Sequence, residues 1–181
     1  AIDDKTNKRR RPHFPHGQKT IDKKEADKVT WKRPSELFKD QYFLFEENIT
    51  YDDVIQGSLG NCYLISTLSS LSQKPSLIRN IFNTNRVNPD GYYEINYYKD
   101  GKKHTFFIDD YIPVKYFPRS RSTKYLSAKP NGNELWVLLL EKAYCKYEGG
   151  YGNIIGGTMS SELQWLTGAM TTTVKTSDGK L

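Results

Sequence analysis

Residues 56–65 read QGSLGNCYLI, and the stretch continues as STLSSLS to Ser72. From Cys62 onward Leu64, Leu68 and Leu71 recur at i, i+4 and i+7, the period of an amphipathic helix. The opposite face carries Ser66, Thr67, Ser69 and Ser70, small enough for close packing. Cys62 therefore falls in the first turn of a helix, behind a loop containing Gly57 and Gly60. A lone cysteine is most simply read as a small buried hydrophobe. Here the surroundings favour chemistry instead. Unpaired amides and the dipole at a helix N-terminus favour a thiolate. The two glycines let a substrate carbonyl approach the Cys62 amide. Gln56 supplies an uncharged donor just upstream, and a preorganised oxyanion donor contributes about 3–4 kcal/mol where one has been removed. Cys145 has no such setting and is read as a packing residue.

Working outward, WKRPSELFKD, with Trp31, Leu37 and Phe38, is the first segment able to anchor in a core. Pro75 and Ser76 open a short second helix, LIRNIF. After Asn88-Pro89-Asp90-Gly91 the Tyr-rich alternation YYEINYY, the turn Lys99-Asp100-Gly101-Lys102 and the stretch HTFFIDDYIPV predict a β-hairpin whose strands end by Pro113. A basic loop follows, with Arg119, Arg121 and Lys124. Asn133 then caps the apolar helix ELWVLLLEKAYCKYEGG, in which Trp136, Leu140, Ala143, Tyr144 and Tyr147 share a face and Gly149 is the stop. This helix is the expected centre of the core.

The net charge of +6 over 181 residues is unevenly placed. Residues 1–33 hold 11 Lys/Arg against 5 Asp/Glu, and the remainder balances at zero. Residues 1–28, with Pro12, Pro15, Gly17 and the cluster Lys8 to Arg11, have too little apolar surface to offset the entropy of ordering, and are read as a flexible basic arm. The expected division is the arm 1–28, a lobe over 29–170, and 171–181 as a polar tail or the start of a second lobe. Nucleic-acid binding through the arm finds no support from a helix-turn-helix, RNP or zinc pattern. The longest apolar run, Leu135 to Leu140, is far below the roughly 20 residues of a membrane span, and no apolar leader opens the sequence. Two cysteines 83 positions apart suggest neither a disulfide framework nor a zinc site, and a reducing, cytoplasmic setting is expected.

A nucleophilic cysteine generally needs a histidine base. His13 and His16 precede Cys62 in the arm, where the caspase order would put a base, but the caspase signature is absent. His104 opens a hairpin strand and reads as a surface or core residue. In papain-like enzymes the base follows the cysteine by roughly 130–150 residues, which from Cys62 lies beyond Leu181. The base is expected outside this sequence.

Four blocks together resemble the calpains, the calcium-dependent cysteine endopeptidases: QGSLGNCYLISTLSSL, WKRP at Trp31 to Pro34, IDDYIPV, and NELWVLLLEKAYCKYEGGYGNIIGG at Asn133 to Gly157. The resemblance runs from about Trp31 to Gly168 in the family's order and spacing. It implies an α+β fold: the mainly helical, cysteine-bearing lobe of a papain-like core, with a central buried helix and a β-hairpin. It implies Cys62 as nucleophile, Gln56 as oxyanion donor and Gly157 as a backbone site for the substrate chain. A second lobe would bring histidine and asparagine, so that this lobe alone is expected to be inactive, and protein substrates are the expected partners. The family binds calcium in each lobe, which here implies the carboxylates of Asp53 and Glu134 and the carbonyls of Glu46 and Asn48. Hard oxygens of this kind suit calcium, although spacing alone reads them as an acidic surface loop. A non-catalytic module that binds calcium or a protein through the same face is the second class of reading. The sequence departs from animal members of the family in Asn61 for an acid, Tyr63 for a tryptophan, Tyr51 for an arginine, Asn48 for a glycine, and Gly168-Ala169 for a glycine pair.

Overall fold

A computed structural model of the chain describes residues 29–57, 59–118, 122–126, 128–172 and 174. The proposed arm over 1–28, most of the 171–181 tail, and Arg119 and Arg121 of the basic loop lie outside the described residues. Five helices organise the rest: α1 (Pro34–Leu37), α2 (Cys62–Ser72), α3 (Pro75–Arg79), α4 (Trp136–Tyr147) and α5 (Met159–Thr167). The leucine stripe of α2 is buried, and Tyr63, Ile65 and Thr67 widen it, so the helix is covered on most of its surface. Its hydroxyls turn back on their own helix: Thr67 Oγ1 donates to the Tyr63 carbonyl and Ser70 Oγ to that of Ser66, both at 2.8 Å. That is how polar side chains are accommodated beside a core without outside partners. The centre of the core is α4. Every residue from Trp136 to Leu140 is at most 2% exposed, so its first turns are enclosed all round rather than amphipathic.

Seven strands share the described residues: β1 (Val29–Lys32), β2 (Val54–Ile55), β3 (Tyr92–Lys99), β4 (Lys102–Asp109), β5 (Ile112–Phe117), β6 (Ser122–Tyr125) and β7 (Lys129–Pro130). The hairpin β3–β4 pairs in the expected register, from Tyr92↔Asp109 to Lys99↔Lys102. Its two-residue turn places Asp100 at φ 52° and Gly101 at φ 71°, both in the left-handed region that twist-matched hairpin turns require. A second sheet runs β1-β5-β6, and β2 pairs with β7.

Three expectations are corrected. The lobe is mixed rather than mainly helical, because short segments without period-2 alternation pair across long sequence separations, as β1 does with β5. The strands do not end at Pro113. That residue lies inside β5, opposite Trp31, and its carbonyl accepts the Leu126 N–H at 3.1 Å, so it pairs without donating. Asn133 does not cap α4; Leu135 does. The segment ahead of the helix is drawn into a parallel bridge with Phe43, where the Leu135 N–H donates to the Phe43 carbonyl at 3.0 Å.

The helix α5 was not anticipated. It packs against β3 and α2 and buries Glu162, Trp165 and Leu166. It ends at Gly168, whose φ of 71° is left-handed and whose missing Cβ would lie 2.6 Å from the Tyr98 ring. Gly168→Ala is expected to lower stability by roughly 1–3 kcal/mol, from strained backbone plus this clash. A urea midpoint left at the wild-type value would contradict the packing.

Candidate active site

Cys62 is exposed and is the first residue of the eleven-residue helix α2. As the opening residue its N–H has no acceptor within the helix. The amides of Leu64 and Ile65 turn back to the Asn61 carbonyl at 3.0 and 3.2 Å. The loop ahead of Cys62 and the first turn of α2 are joined to a second segment, residues 154–157, at three points. Gly156 donates its N–H to the Gly60 carbonyl at 3.0 Å. The Tyr63 hydroxyl donates to the Ile154 carbonyl, also at 3.0 Å. Gly157 lies so close to the Tyr63 ring that a Cβ would fall 2.6–3.0 Å from three ring atoms. Cys62 and Gly157, far apart in sequence, are thus held across one surface by the residues beside them. Gln56 is exposed on the same loop, and its Nε2 reaches the Leu59 carbonyl at 3.4 Å. That bond is long and engages one of two N–H groups.

The residue before the thiol is fixed from beneath. Asn61 is fully buried, and its Nδ2 donates to Glu141, itself fully buried on α4. The Ala128 N–H donates to both Glu141 oxygens, at 3.1 and 2.9 Å. A buried carboxylate is tolerated only when it is richly hydrogen-bonded, and here one of those bonds runs to Asn61, the residue before Cys62. On the other side, the Tyr144 hydroxyl donates to Glu162, which is also fully buried and also accepts from Ser161 at 3.1 Å. Burial, then the hydrogen bond to Glu162 and its charge, hold the Tyr144 hydroxyl far above the usual phenol range.

Of the other candidates, Cys145 is buried, and burial pushes its thiol well up, in keeping with a packing role. His104 is exposed on β4 with its ring 5.3 Å from that of Tyr97. His13 and His16 lie outside the described residues.

The acidic corner is assembled from two separated segments. Residues 43–46 run beside residues 133–136, and the Glu46 N–H donates to the Glu134 carboxylate, whose other oxygen accepts the Trp136 indole N–H at 2.7 Å. Glu134 is 2% exposed, and burial pushes its carboxyl up to about 7, with the charges of Asp53 and Glu46 adding to the push. Asp53 accepts from the Thr50 N–H at 2.7 Å, and Asn48, between Glu46 and Asp53 in sequence, is exposed. The Glu46 carbonyl also takes a hydrogen bond from Arg79 at 3.3 Å.

Comparison with known proteins shows the family. A family model described as calpain family cysteine protease matches residues 10–180. The chain is 32% identical to calpain-5 of Caenorhabditis elegans over 168 residues, 85% of this chain and 24% of that protein. It is 33% identical to the calpain-1 catalytic subunit of Bos taurus over 146 residues, 79% of this chain and 20% of that one. To the calpain-type cysteine protease DEK1 of Zea mays it is 34% identical over 143 residues, covering 76% of this chain and 6% of the relative. The chain belongs to the calpain family of cysteine proteases. It spans about a quarter or less of the length of these relatives.

Sequence reasoning missed Glu141, Tyr144 and Glu162 as supports of the site. The signal available for Glu141 was a charge inside an otherwise apolar run, where it falls on an enclosed helix and must find partners. Glu141→Ala strands the Asn61 amide and the Ala128 N–H and is expected to cost roughly 3 kcal/mol or more, with Glu141→Gln costing less because it keeps one acceptor. Equal denaturant midpoints for the two variants would contradict this support.

Proposed function

We propose that this chain is the nucleophile-bearing lobe of a calcium-dependent cysteine endopeptidase. The observation that carries the reading is an exposed Cys62 opening a helix whose flanking residues bind it to the Gly157 segment. In the reaction the Cys62 thiolate attacks a peptide carbonyl carbon while the polypeptide lies along the Gly157 backbone. The carbonyl oxygen takes up the electron pair and is held by the Cys62 N–H and the uncommitted N–H of Gln56. The C–N bond then breaks, an acid protonates the departing amine, and water releases the acyl group from sulfur. His104 packs on Tyr97 in the hairpin, so a histidine and an asparagine of a second lobe are proposed as base and orienting group. By itself the chain is then inactive on protein substrates, although its thiol is reactive.

Calcium is proposed at the acidic corner, held by the carboxylates of Asp53 and Glu134 and the carbonyls of Glu46 and Asn48. When bound, the ion supplies positive charge that offsets the two acids and ties the 46–53 segment to the start of α4. Supporting this, Glu134 is buried with its carboxyl raised to about 7. Arg79, which shares the Glu46 carbonyl, would turn toward that of Glu47, which it also contacts at 3.3 Å.

Iodoacetamide with peptide mapping tests the first part: Cys62 is expected to be carbamidomethylated far faster than Cys145. Equal rates would sink the nucleophile assignment, and turnover of an unstructured protein by this chain alone, abolished by Cys62→Ala, would sink the need for a second lobe. For calcium, an ion at a hundred times its Kd stabilises the folded chain by about 2.7 kcal/mol. A rise in the thermal midpoint with calcium, absent in Asp53→Asn and Glu134→Gln, is expected; an equal rise in both variants would place the ion elsewhere.

A further inference from the structure

We infer that Tyr63 is a positioning residue of the cleft: its phenol fixes the Gly157 segment at the height where a substrate chain can lie beside Cys62. The inference rests on the reading of Cys62 as the nucleophile. Tyr63 follows Cys62 directly, so whatever holds its ring holds the opening turn of α2. Two observations converge on it. The ring lies against Gly157, where no side chain larger than hydrogen fits. The hydroxyl donates to the Ile154 carbonyl at 3.0 Å, three residues before Gly157.

The ring and the hydroxyl therefore do different things. The ring sets how near the Gly157 backbone comes, since aromatic carbon cannot be compressed. The hydroxyl stops that segment from sliding along the ring. The remaining link, from Gly156 to the Gly60 carbonyl, ties the same two segments through backbone alone and needs no particular side chain. Removing the Tyr63 hydroxyl should leave the thiol exposed and the ring in place while the segment that receives a peptide loses its register.

Two alkylating reagents separate these effects. Both react by the same step: the sulfur forms a bond to the reagent's methylene carbon, and iodide leaves iodoacetamide or chloride leaves a dipeptidyl chloromethyl ketone. The first needs only an accessible thiolate. The second must also lay its peptide along Gly157. Rates at Cys62 would be followed by mass spectrometry in the 181-residue chain, with glutathione as the unstructured reference thiol.

For the wild type, the ketone-to-iodoacetamide ratio is expected to exceed that of glutathione. In Tyr63→Phe the ketone rate should fall roughly two- to tenfold, the worth of one neutral hydrogen bond, with the iodoacetamide rate unchanged. An unchanged ketone rate, or an equal fall for both reagents, would overturn the positioning role. A wild-type ratio no higher than that of glutathione would overturn the cleft reading itself, which distinguishes the two failures. If Tyr63→Phe does not fold, Tyr63→Trp keeps a ring at this position and removes the phenol oxygen: the same split in rates is expected, and no split would overturn the inference.

Discussion

The buried carboxylate of Glu141 is the constraint on which the site depends. It lies on the most enclosed helix of the lobe and has no access to water. Taking a charge out of water costs several kcal/mol even after relaxation, and only good hydrogen bonds offset that cost. Asn61 and Ala128 are among the groups that donate to it. Through them the position of the core helix dictates the position of the residue before Cys62. An amide at position 61 serves well, because it donates to a carboxylate without needing a shared proton. The acid usual at this place in animal relatives would face Glu141 as a like charge, one of the two having to take up a proton.

Around that anchor, the rigidity of the lobe is unevenly distributed in a way that suits a cysteine enzyme. The thiol is exposed, while Asn61 before it and Tyr63 after it are buried. A nucleophile must be reachable yet held within a fraction of an ångström, and a single exposed residue between two fixed ones meets both demands. Glycine enters where backbone has to come close, as at Gly157 against the Tyr63 ring. The acidic corner uses the same helix from its other end. Glu134 lies just ahead of α4, so charge at the corner and the geometry at Cys62 share one rigid element.

The parts of this arrangement that could be read from the residues are those with a period or a turn signature. The leucine spacing of α2, the Asp100-Gly101 hairpin turn and the apolar run of α4 each carry their structure locally, and each is found where expected. The β1-β5-β6 sheet was not readable, since strands of four to six residues carry little alternation and their pairing is decided by distant partners. Asn133 looked like a helix cap because the competing bridge from Phe43 lies 90 positions away in sequence. Gln56 and Cys62 stood out as chemistry because glycine and a helix start surround them. Glu141, Tyr144 and Glu162 did not, because a buried charge within a helix is recognisable only once the helix is known to be enclosed.

The central claim is that Cys62 and Gly157 form one cleft that presents a peptide to the thiol. The most direct measurement is a crystal structure of the chain carrying a dipeptidyl ketone on Cys62. The account predicts the ketone oxygen at about 3 Å from the Cys62 N–H, the distance of an oxyanion contact, with the peptide extended along the Gly157 backbone. An adduct on Cys62 whose oxygen points away from that amide, or whose peptide lies off the Gly157 segment, would contradict it.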